Sequence, residues 1–366
     1  MYILSNQATF LLFFVQMILM VIVFFTILNN KKASDVSVLG IITAIYIIFI
    51  WSRDNFGTDE FTYRYYYSQF LDNSDSFQFE FSFYYLFSIL RFFGVSVNEF
   101  NNTVATAYVA LAACTANYCA KGNSRSLILY FYLFSSVSLD FIFNIYRQGF
   151  SFLFACLFIY SVLNERKKLA CVFIFIAIGF HWSSIIILIA CVISKIVKRK
   201  QKLLFCIILA ISLLAFVVPL HLADIFRLLS RMPLVSIDFL NHIGNYLSGE
   251  MGNNYYELSF NGRFTFIIFP VISIAGFCLY FYSKIDALLF NIIMILILYS
   301  LLFLEMSYSF RNYYWVMGLL PFILTSVAMG ERKPLLNNLI IVLGYHGIYS
   351  VITYYSFPIF YQVFAS

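Results

Sequence analysis

Few polar residues in this sequence could carry chemistry, and the first group follows the second long apolar stretch. It contains the turn Gly57-Thr58-Asp59, with Arg53 before it and Arg64 after it. A carboxylate in such a turn can act as a general base while neighbouring arginines bind an anionic substrate. A solvated loop is the alternative, and we interpret Asp54 and Glu60 as exposed acids of that loop. Asp59 is therefore a candidate catalytic residue and Arg53 a candidate substrate ligand.

A second group interrupts apolar sequence at Asn144-Ile145-Tyr146-Arg147-Gln148. A guanidinium is permanently charged and can bind a phosphate through two parallel hydrogen bonds, and burying it without an anion is costly. Ionisable residues within membrane segments are usually functional. The pattern predicts that Arg147 binds an anionic group, with Gln148 beside it. A structural ion pair between Arg147 and Asp140 is the alternative.

A third group is Gly179-Phe180-His181-Trp182-Ser183-Ser184, again between apolar segments. A histidine in this place can accept a proton or donate a hydrogen bond to a leaving oxygen. A satisfied core histidine is the alternative. The other histidines have no metal-ligand spacing with each other or with carboxylates, and no nucleotide-binding or metalloenzyme motif is present. The sequence therefore predicts neither a metal site nor a cofactor.

Two late arginines, Arg263 and Arg311, lie near predicted ends of apolar helices. Such arginines often extend harmlessly to the membrane interface. Several arginines that converge on one outer cavity, with no lysine among them, favour phosphate or diphosphate recognition instead. Both are candidate substrate ligands. Tyr63 is one of the aromatic residues that could stack on a sugar ring, although most such residues form the aromatic belt or the core.

Membrane helices must position these residues. Of the 366 residues, 62% are hydrophobic and 11% are charged, and the mean hydropathy is +0.87. Soluble domains contain about 25% charged residues. The composition predicts an all-α, polytopic integral membrane protein and excludes a cytosolic enzyme, a nucleic-acid-binding protein and a single-span receptor. The seven cysteines lie in apolar runs without CxxC spacing, so neither a disulfide framework nor a zinc site is indicated.

The distribution of charge predicts the topology. Lysines are confined to clusters that recur at alternate helix boundaries and mark the cytoplasmic side. The chain then forms one polytopic domain, residues 1–366, with about 12 spans and larger outer segments near 52–100 and 221–263. The stretch 81–93 is predicted as an interfacial or re-entrant helix, and a spanning helix is the alternative. The predicted spans are 8–28, 36–51, 101–120, 126–143, 146–163, 169–180, 182–196, 203–220, 264–282, 287–304, 313–329 and 335–355.

Two of the predicted helical hairpins are short. Residues 126–163 and 169–196 contain fewer than the ~40 residues that two crossings normally need. Their polar tips, which carry Arg147 and His181, should lie below the outer surface and face a shared water-filled cavity. A single long helix over 169–196 is the alternative for the second hairpin.

Taken together, these residues resemble the EpsG-like, Wzy-type polymerases of bacterial O-antigen, capsule and exopolysaccharide. The likeness spans nearly the whole chain, and its most specific parts are the Arg-Gln and Phe-His pairs. A tyrosine precedes the arginine here, where an isoleucine-like residue is common. The residues that carry the resemblance are Arg53 with Gly57-Thr58-Asp59 and Tyr63, Glu80, Asn144 to Gln148, Phe180-His181-Trp182-Ser183, and Arg311 with Tyr313.

The resemblance implies a glycosyltransferase of the bacterial inner membrane that joins undecaprenyl-diphosphate-linked oligosaccharide repeat units on the periplasmic side, without a metal. The partners would be the lipid-linked donor and acceptor, the bilayer, and a chain-length regulator and flippase of the same pathway. A flippase for the same lipid-linked sugar and a membrane acyltransferase are the alternatives. By this resemblance, Arg147 and Arg311 would bind the diphosphate, with support from Arg53 and Arg263. Substrate binding would also involve Glu80, Gln148 and Tyr63. The base would be Asp59 or His181.

Overall fold

The computed structural model describes residues 6–52, 57–74, 77–197, 200–218, 260–268, 270–304, 310–329 and 334–356. Within these ranges the regular structure is helical, apart from one isolated bridge between Met329 and Pro334. The all-α prediction is confirmed for this part of the chain. Arg53 and nearly all of the predicted outer segment 221–263 lie outside the described residues.

The chain divides into two compact units, Met1–Leu188 with Pro321–Ser366, and Ile189–Leu320. Among the described residues, the first unit contains nine complete helices before the division, together with the last helix of the chain. The helices are α1 Asn6–Asn29, α2 Lys32–Ser52, α3 Thr58–Asp72, α4 Phe81–Phe92, α5 Phe100–Cys119, α6 Arg125–Leu133, α7 Ser136–Phe143, α8 Tyr146–Leu163, α9 Lys167–Phe180, α10 Ile185–Val197, α11 Gln201–Val217, α12 Phe260–Arg263, α13 Gly276–Tyr280, α14 Ala287–Leu302, α15 Phe310–Ala328 and α16 Leu336–Ser356.

Several helices have the length and composition of membrane spans. Leu11–Asn29, Lys32–Ser52 and Tyr146–Leu163 each meet both criteria, and α6 with α7 forms a fourth span if the bent pair is counted as one. Large apolar side chains such as Phe25 and Ile48 point outward from α1 and α2, as expected for helices that face lipid. The protein is a membrane protein, and the layout of 12 spans stays a prediction.

The predicted span 126–143 is not one continuous helix. It bends by 75° between α6 and α7, where Ser135 Oγ accepts a hydrogen bond from Ser138 N and begins the second helix. The carbonyl oxygens that a helix end leaves unpaired must find donors in an apolar environment. Three side chains supply them here: Tyr46 donates to Leu133 O, Ser350 Oγ to Phe134 O, and His346 Nε2 to Phe131 O. These donors explain how the break is tolerated.

Two further departures concern helix continuity. The predicted span 264–282 begins instead with π-helical turns over Phe264–Ile268 and Pro270–Ala275, followed by α13. Pro270 lacks a backbone N–H and therefore cannot donate within a regular α-helix. The outer segment 52–100 contains α3, a helix that the sequence analysis did not predict, together with α4. The predicted break at His181 is confirmed, because α9 ends at Phe180 and a 3₁₀ turn, Trp182–Ser184, follows.

Candidate active site

The turn that carries Asp59 is held against the loop between α7 and α8. Asp59 N donates to Asn144 Oδ1 at 2.9 Å. Gly57, the N-cap of α3, approaches the same loop so closely that an added Cβ would lie 2.2 Å from Phe143 O. Only glycine fits this position without a shift of the backbone. The contact places the half-buried Asp59 beside the segment that leads into α8.

Asn144 holds its position through Asp140. Asn144 Nδ2 donates to Asp140 Oδ1 at 3.0 Å, while the backbone N–H groups of Asn144 and Ile145 donate to Asp140 O. Asn144 is therefore a bridge, because its amide binds α7 on one side and the Asp59 turn on the other. The ion pair that the structure shows for Arg147 is with Glu80.

Arg147 lies in the first turn of α8, close to the Asp59 turn. Its Nη1 is 2.6 Å from Glu80 Oε2, and its guanidinium lies over the Phe79 ring at 4.6 Å from the centroid. Tyr63 lies close enough to interact electrostatically with the guanidinium. Arg147 Nε is buried and has no hydrogen-bond partner among the described residues. The side chains of Arg147 and Glu80 are 25% and 21% exposed, so a solute can reach the pair.

Tyr63 has its ring covered on several sides. The side chain is 5% exposed and packs against Tyr146 at 5.4 Å, Phe83 at 5.4 Å and Phe79 at 5.8 Å between ring centroids. With its ring covered in this way, Tyr63 leaves little of its face open for stacking on a sugar.

The helices α3 and α4 lie next to these residues and are held in place by side-chain contacts. Tyr67, one turn after Tyr63, donates from its hydroxyl to Val95 O at 2.9 Å, and burial raises its pKa, which keeps the hydroxyl protonated. Helix α4 packs closely on α9, since a Cβ at Gly179 would lie 2.3 Å from Ser82 Oγ. Glu80, the N-cap of α4, is thereby fixed at the edge of α9.

His181 lies at the end of α9, next to α8. Its Nδ1 accepts from Ser183 N at 3.2 Å and lies 2.7 Å from Ser183 Oγ. Because a backbone N–H can only donate, Nδ1 presents its lone pair and the neutral ring carries its proton on Nε2. Ser151 Oγ donates to Ala177 O at 2.8 Å and lies 3.4 Å from His181 O, which links this turn to α8 one helical turn beyond Arg147. Phe180 stacks on Phe150, with ring centroids 5.1 Å apart.

The remaining predicted residues have different surroundings. Gln148 is buried in the first turn of α8. Arg311 is half-buried near the start of α15, in the second unit. Arg263, also in the second unit, is 8% exposed and donates from Nη1 to Ala215 O at 2.6 Å. The structure thus brings Asp59, Tyr63, Glu80, Arg147, Gln148 and His181 into one region of the first unit.

Glu60 is the residue that the sequence analysis misjudged. It is 0% exposed, so its interpretation as a solvated acid is wrong. Its carboxylate accepts from Gly57 N at 2.6 Å and from the Tyr146 hydroxyl. One signal was available, since a glutamate three residues after a helix N-cap is typical of a capping box. That spacing predicts a carboxylate directed at the backbone rather than at solvent.

Comparison with protein families finds the EpsG family over residues 36–364. The chain belongs to the EpsG family. The match contains every residue of the region described above and confirms the family resemblance. No match was found among curated proteins or among solved structures. EpsG membership indicates a polysaccharide polymerase type of role, with glycosyltransferase-like chemistry at a membrane.

For an EpsG-family chain, this region of the first unit contains three groups that could take part in the chemistry. Arg147 can bind an anion, Asp59 is a half-buried carboxylate, and neutral His181 has a hydrogen-bond donor on Nε2. Among the described residues, no group of three or more His, Cys, Asp and Glu side chains is placed to hold a metal ion. Metal independence stays a prediction that an assay must test.

Proposed function

We propose that this protein polymerises lipid-linked oligosaccharide repeat units at the periplasmic face of the bacterial inner membrane. The growing chain, attached to undecaprenyl diphosphate, would be transferred to a hydroxyl of the next unit, in a pathway that also contains a flippase and a chain-length regulator. One observation carries the proposal: the hydrogen bond from Asp59 N to Asn144 Oδ1. This hydrogen bond joins the turn that carries Asp59 to the loop between α7 and α8, directly before Arg147. The proposed base and the proposed diphosphate ligand are therefore carried by adjoining segments.

The transfer is a single displacement. Asp59 accepts the proton of the acceptor hydroxyl, whose oxygen forms a bond to the anomeric carbon of the donor. The bond from that carbon to the diphosphate oxygen breaks, and its electron pair leaves with the lipid diphosphate. Arg147 binds the departing diphosphate and stabilises its charge. The anomeric configuration is inverted.

His181 is assigned to hydrogen-bond donation rather than to the base. Its Nδ1 lone pair is already used by Ser183 N, and a neutral imidazole with its proton on Nε2 has no second lone pair to offer. Donation from Nε2 to an oxygen of the leaving group fits this tautomer. Asp59, in contrast, is a carboxylate with two acceptor oxygens.

Glu80 is assigned to orienting Arg147. The ion pair is accessible, and a diphosphate oxygen that replaced the Glu80 oxygen would meet an already positioned guanidinium. Gln148 and Tyr63 remain proposed contributors to substrate binding in the same region. Arg311 belongs to the second unit and Arg53 lies outside the described residues, so their assignment to the diphosphate rests on the sequence. Arg263 donates to Ala215 O, and we assign it a structural role instead.

The test is a polymerisation assay with purified protein, lipid-diphosphate-linked repeat units and a metal chelator. We expect a ladder of products from the wild type and a fall of ~10²–10⁴-fold in turnover for Asp59→Asn, as for the loss of a general base. Asp72→Asn, at the exposed far end of α3, is the matched control and should be unaffected. If the wild type gives no ladder but moves intact units across a liposome membrane, the protein is a transporter and the proposal is wrong.

A further inference from the structure

Glu60 is a buried carboxylate that the mechanism above does not use. It is 0% exposed, and burying a charged or polar group is costly unless hydrogen bonds compensate it. Its two oxygens have separate donors: Oε2 accepts from Gly57 N at 2.6 Å, and Oε1 accepts from the Tyr146 hydroxyl. These donors lie in different segments, one at the start of α3 and the other at the start of α8.

Each donor is next to a residue of the candidate site. Gly57 is the N-cap of the helix whose second residue is Asp59. Tyr146 is the first residue of α8 and directly precedes Arg147. The Tyr146 hydroxyl also lies 3.2 Å from Asn101 O, so α5 supports the same contact. One carboxylate therefore connects the backbone N–H of Gly57, two residues before the proposed base, to the side-chain hydroxyl of Tyr146, the residue that precedes the proposed diphosphate ligand.

We propose that Glu60, acting through Tyr146, is the positioning residue that sets the separation between Asp59 and Arg147. This inference rests on the proposed function, because it assumes that Asp59 and Arg147 act on one substrate. Glu60 itself does not touch the substrate, since it is fully enclosed. A misplacement of about 1 Å between reacting groups can cost ~10²-fold in rate, which gives such a connection a catalytic consequence.

The geometry separates a positioning role from a charge-based role. A glutamine at residue 60 can accept from Gly57 N with its oxygen and donate to the Tyr146 oxygen with its amide, while the Tyr146 hydroxyl turns to Asn101 O. Glu60→Gln therefore keeps the connection and loses only the charge. Glu60→Ala loses both. A positioning residue predicts rescue by glutamine, whereas a catalytic carboxylate predicts equal loss in both variants.

Tyr146→Phe removes the connection from the other end, and the chain offers a matched control. Tyr118 on α5 also bonds to α8 through its hydroxyl, at 2.8 Å from Ser161 Oγ, but near the far end of that helix. Tyr118→Phe thus removes the same chemical group from contact with the same helix, away from Arg147. Both changes should lower thermal stability, and only Tyr146→Phe should lower kcat.

The experiment measures kcat, KM and the unfolding temperature of these variants in the ladder assay. We expect kcat to fall by ~10²-fold in Glu60→Ala and Tyr146→Phe, to stay within about tenfold in Glu60→Gln, and to be unchanged in Tyr118→Phe. The double variant Glu60→Ala, Tyr146→Phe should be no slower than Glu60→Ala, because both changes break one connection.

Two results would overturn the inference while leaving the proposed function intact. One is a wild type that forms the ladder together with a Tyr146→Phe variant that keeps the kcat of Tyr118→Phe. The other is a Glu60→Gln variant as slow as Asp59→Asn, which would make the Glu60 charge part of the chemistry. If Glu60→Ala does not fold, the two tyrosine variants still decide. A wild type without a ladder refutes the proposed function itself.

Discussion

Arg147 and Arg263 each precede a long, mostly apolar stretch, but their partners differ. Arg147 pairs with the partly exposed carboxylate of Glu80, an anion that another anion can replace. Arg263 is almost fully buried and donates to Ala215 O, one of the last four carbonyls of α11, which a helix leaves unpaired. An arginine's partner in the fold, more than its sequence context, therefore indicates whether it can bind a ligand.

Among the substitutions that test this comparison, Arg147→Ala should have the largest effect. Removing a preorganised donor from a site of developing negative charge typically costs ~10²–10³-fold in kcat. Stability should fall as well, since the change removes the partner of the Glu80 carboxylate and the contact with the Phe79 ring. Turnover in the ladder assay and the unfolding temperature measure the two quantities. Arg147→Lys keeps the charge but not the planar fork, and it should recover only part of the loss. Full activity of Arg147→Ala would remove the distinction between the two arginines.

A second prediction concerns the turn that carries Asp59. Gly57→Ala places a Cβ against Phe143 O, so the turn must move away from Asn144. A displacement of about 1 Å at the proposed base should lower kcat by ~10²-fold. Gly40→Ala is the matched control, because a Cβ at Gly40 has nothing within 4 Å. Equal kcat in the two glycine variants would show that the close approach does not position the base.

A smaller effect is expected for His181→Ala. Loss of a single hydrogen bond to the leaving oxygen corresponds to about 1.5 kcal/mol, or roughly tenfold in kcat. A base would cost far more, so the ratio between His181→Ala and Asp59→Asn distinguishes the two roles. Steady-state kinetics of both variants on the same substrate give that ratio. A loss in His181→Ala as large as that in Asp59→Asn would reassign the base.

The sequence predicted the break at His181 and the boundaries of α8, because polar residues there interrupt long apolar runs. It did not predict the bend between α6 and α7, since Phe134 and Ser135 are compatible with a continuous helix. The bend depends on donors from Tyr46, His346 and Ser350, which are far away in the sequence. The pattern of apolar and polar residues therefore predicted where helices form, whereas hydrogen bonds between distant residues determine whether a helix is continuous.

The candidate site shows the same division. Chemical type was enough to select Asp59, Arg147 and His181, because few residues of this chain can bind phosphate or transfer a proton. The residue type does not show whether a side chain is buried. Glu60 was therefore interpreted as a surface acid, although it is fully enclosed. Its partner Tyr146 is 86 residues away, a separation at which sequence patterns carry no pairing information.

Arg263→Ala should have the smallest effect on catalysis. The change leaves Ala215 O without its donor, and an unsatisfied buried acceptor costs about 1–3 kcal/mol. The unfolding temperature should therefore fall, while turnover per folded molecule stays close to that of the wild type. Size-exclusion chromatography after graded heating, followed by the ladder assay on the folded fraction, separates stability from turnover. Arg263→Lys, which keeps a donor on a long side chain, should recover part of the stability. If turnover falls instead and the unfolding temperature is unchanged, Arg263 binds the diphosphate. The reason is that loss of a donor that only satisfies the end of a helix does not slow the reaction of the protein that remains folded.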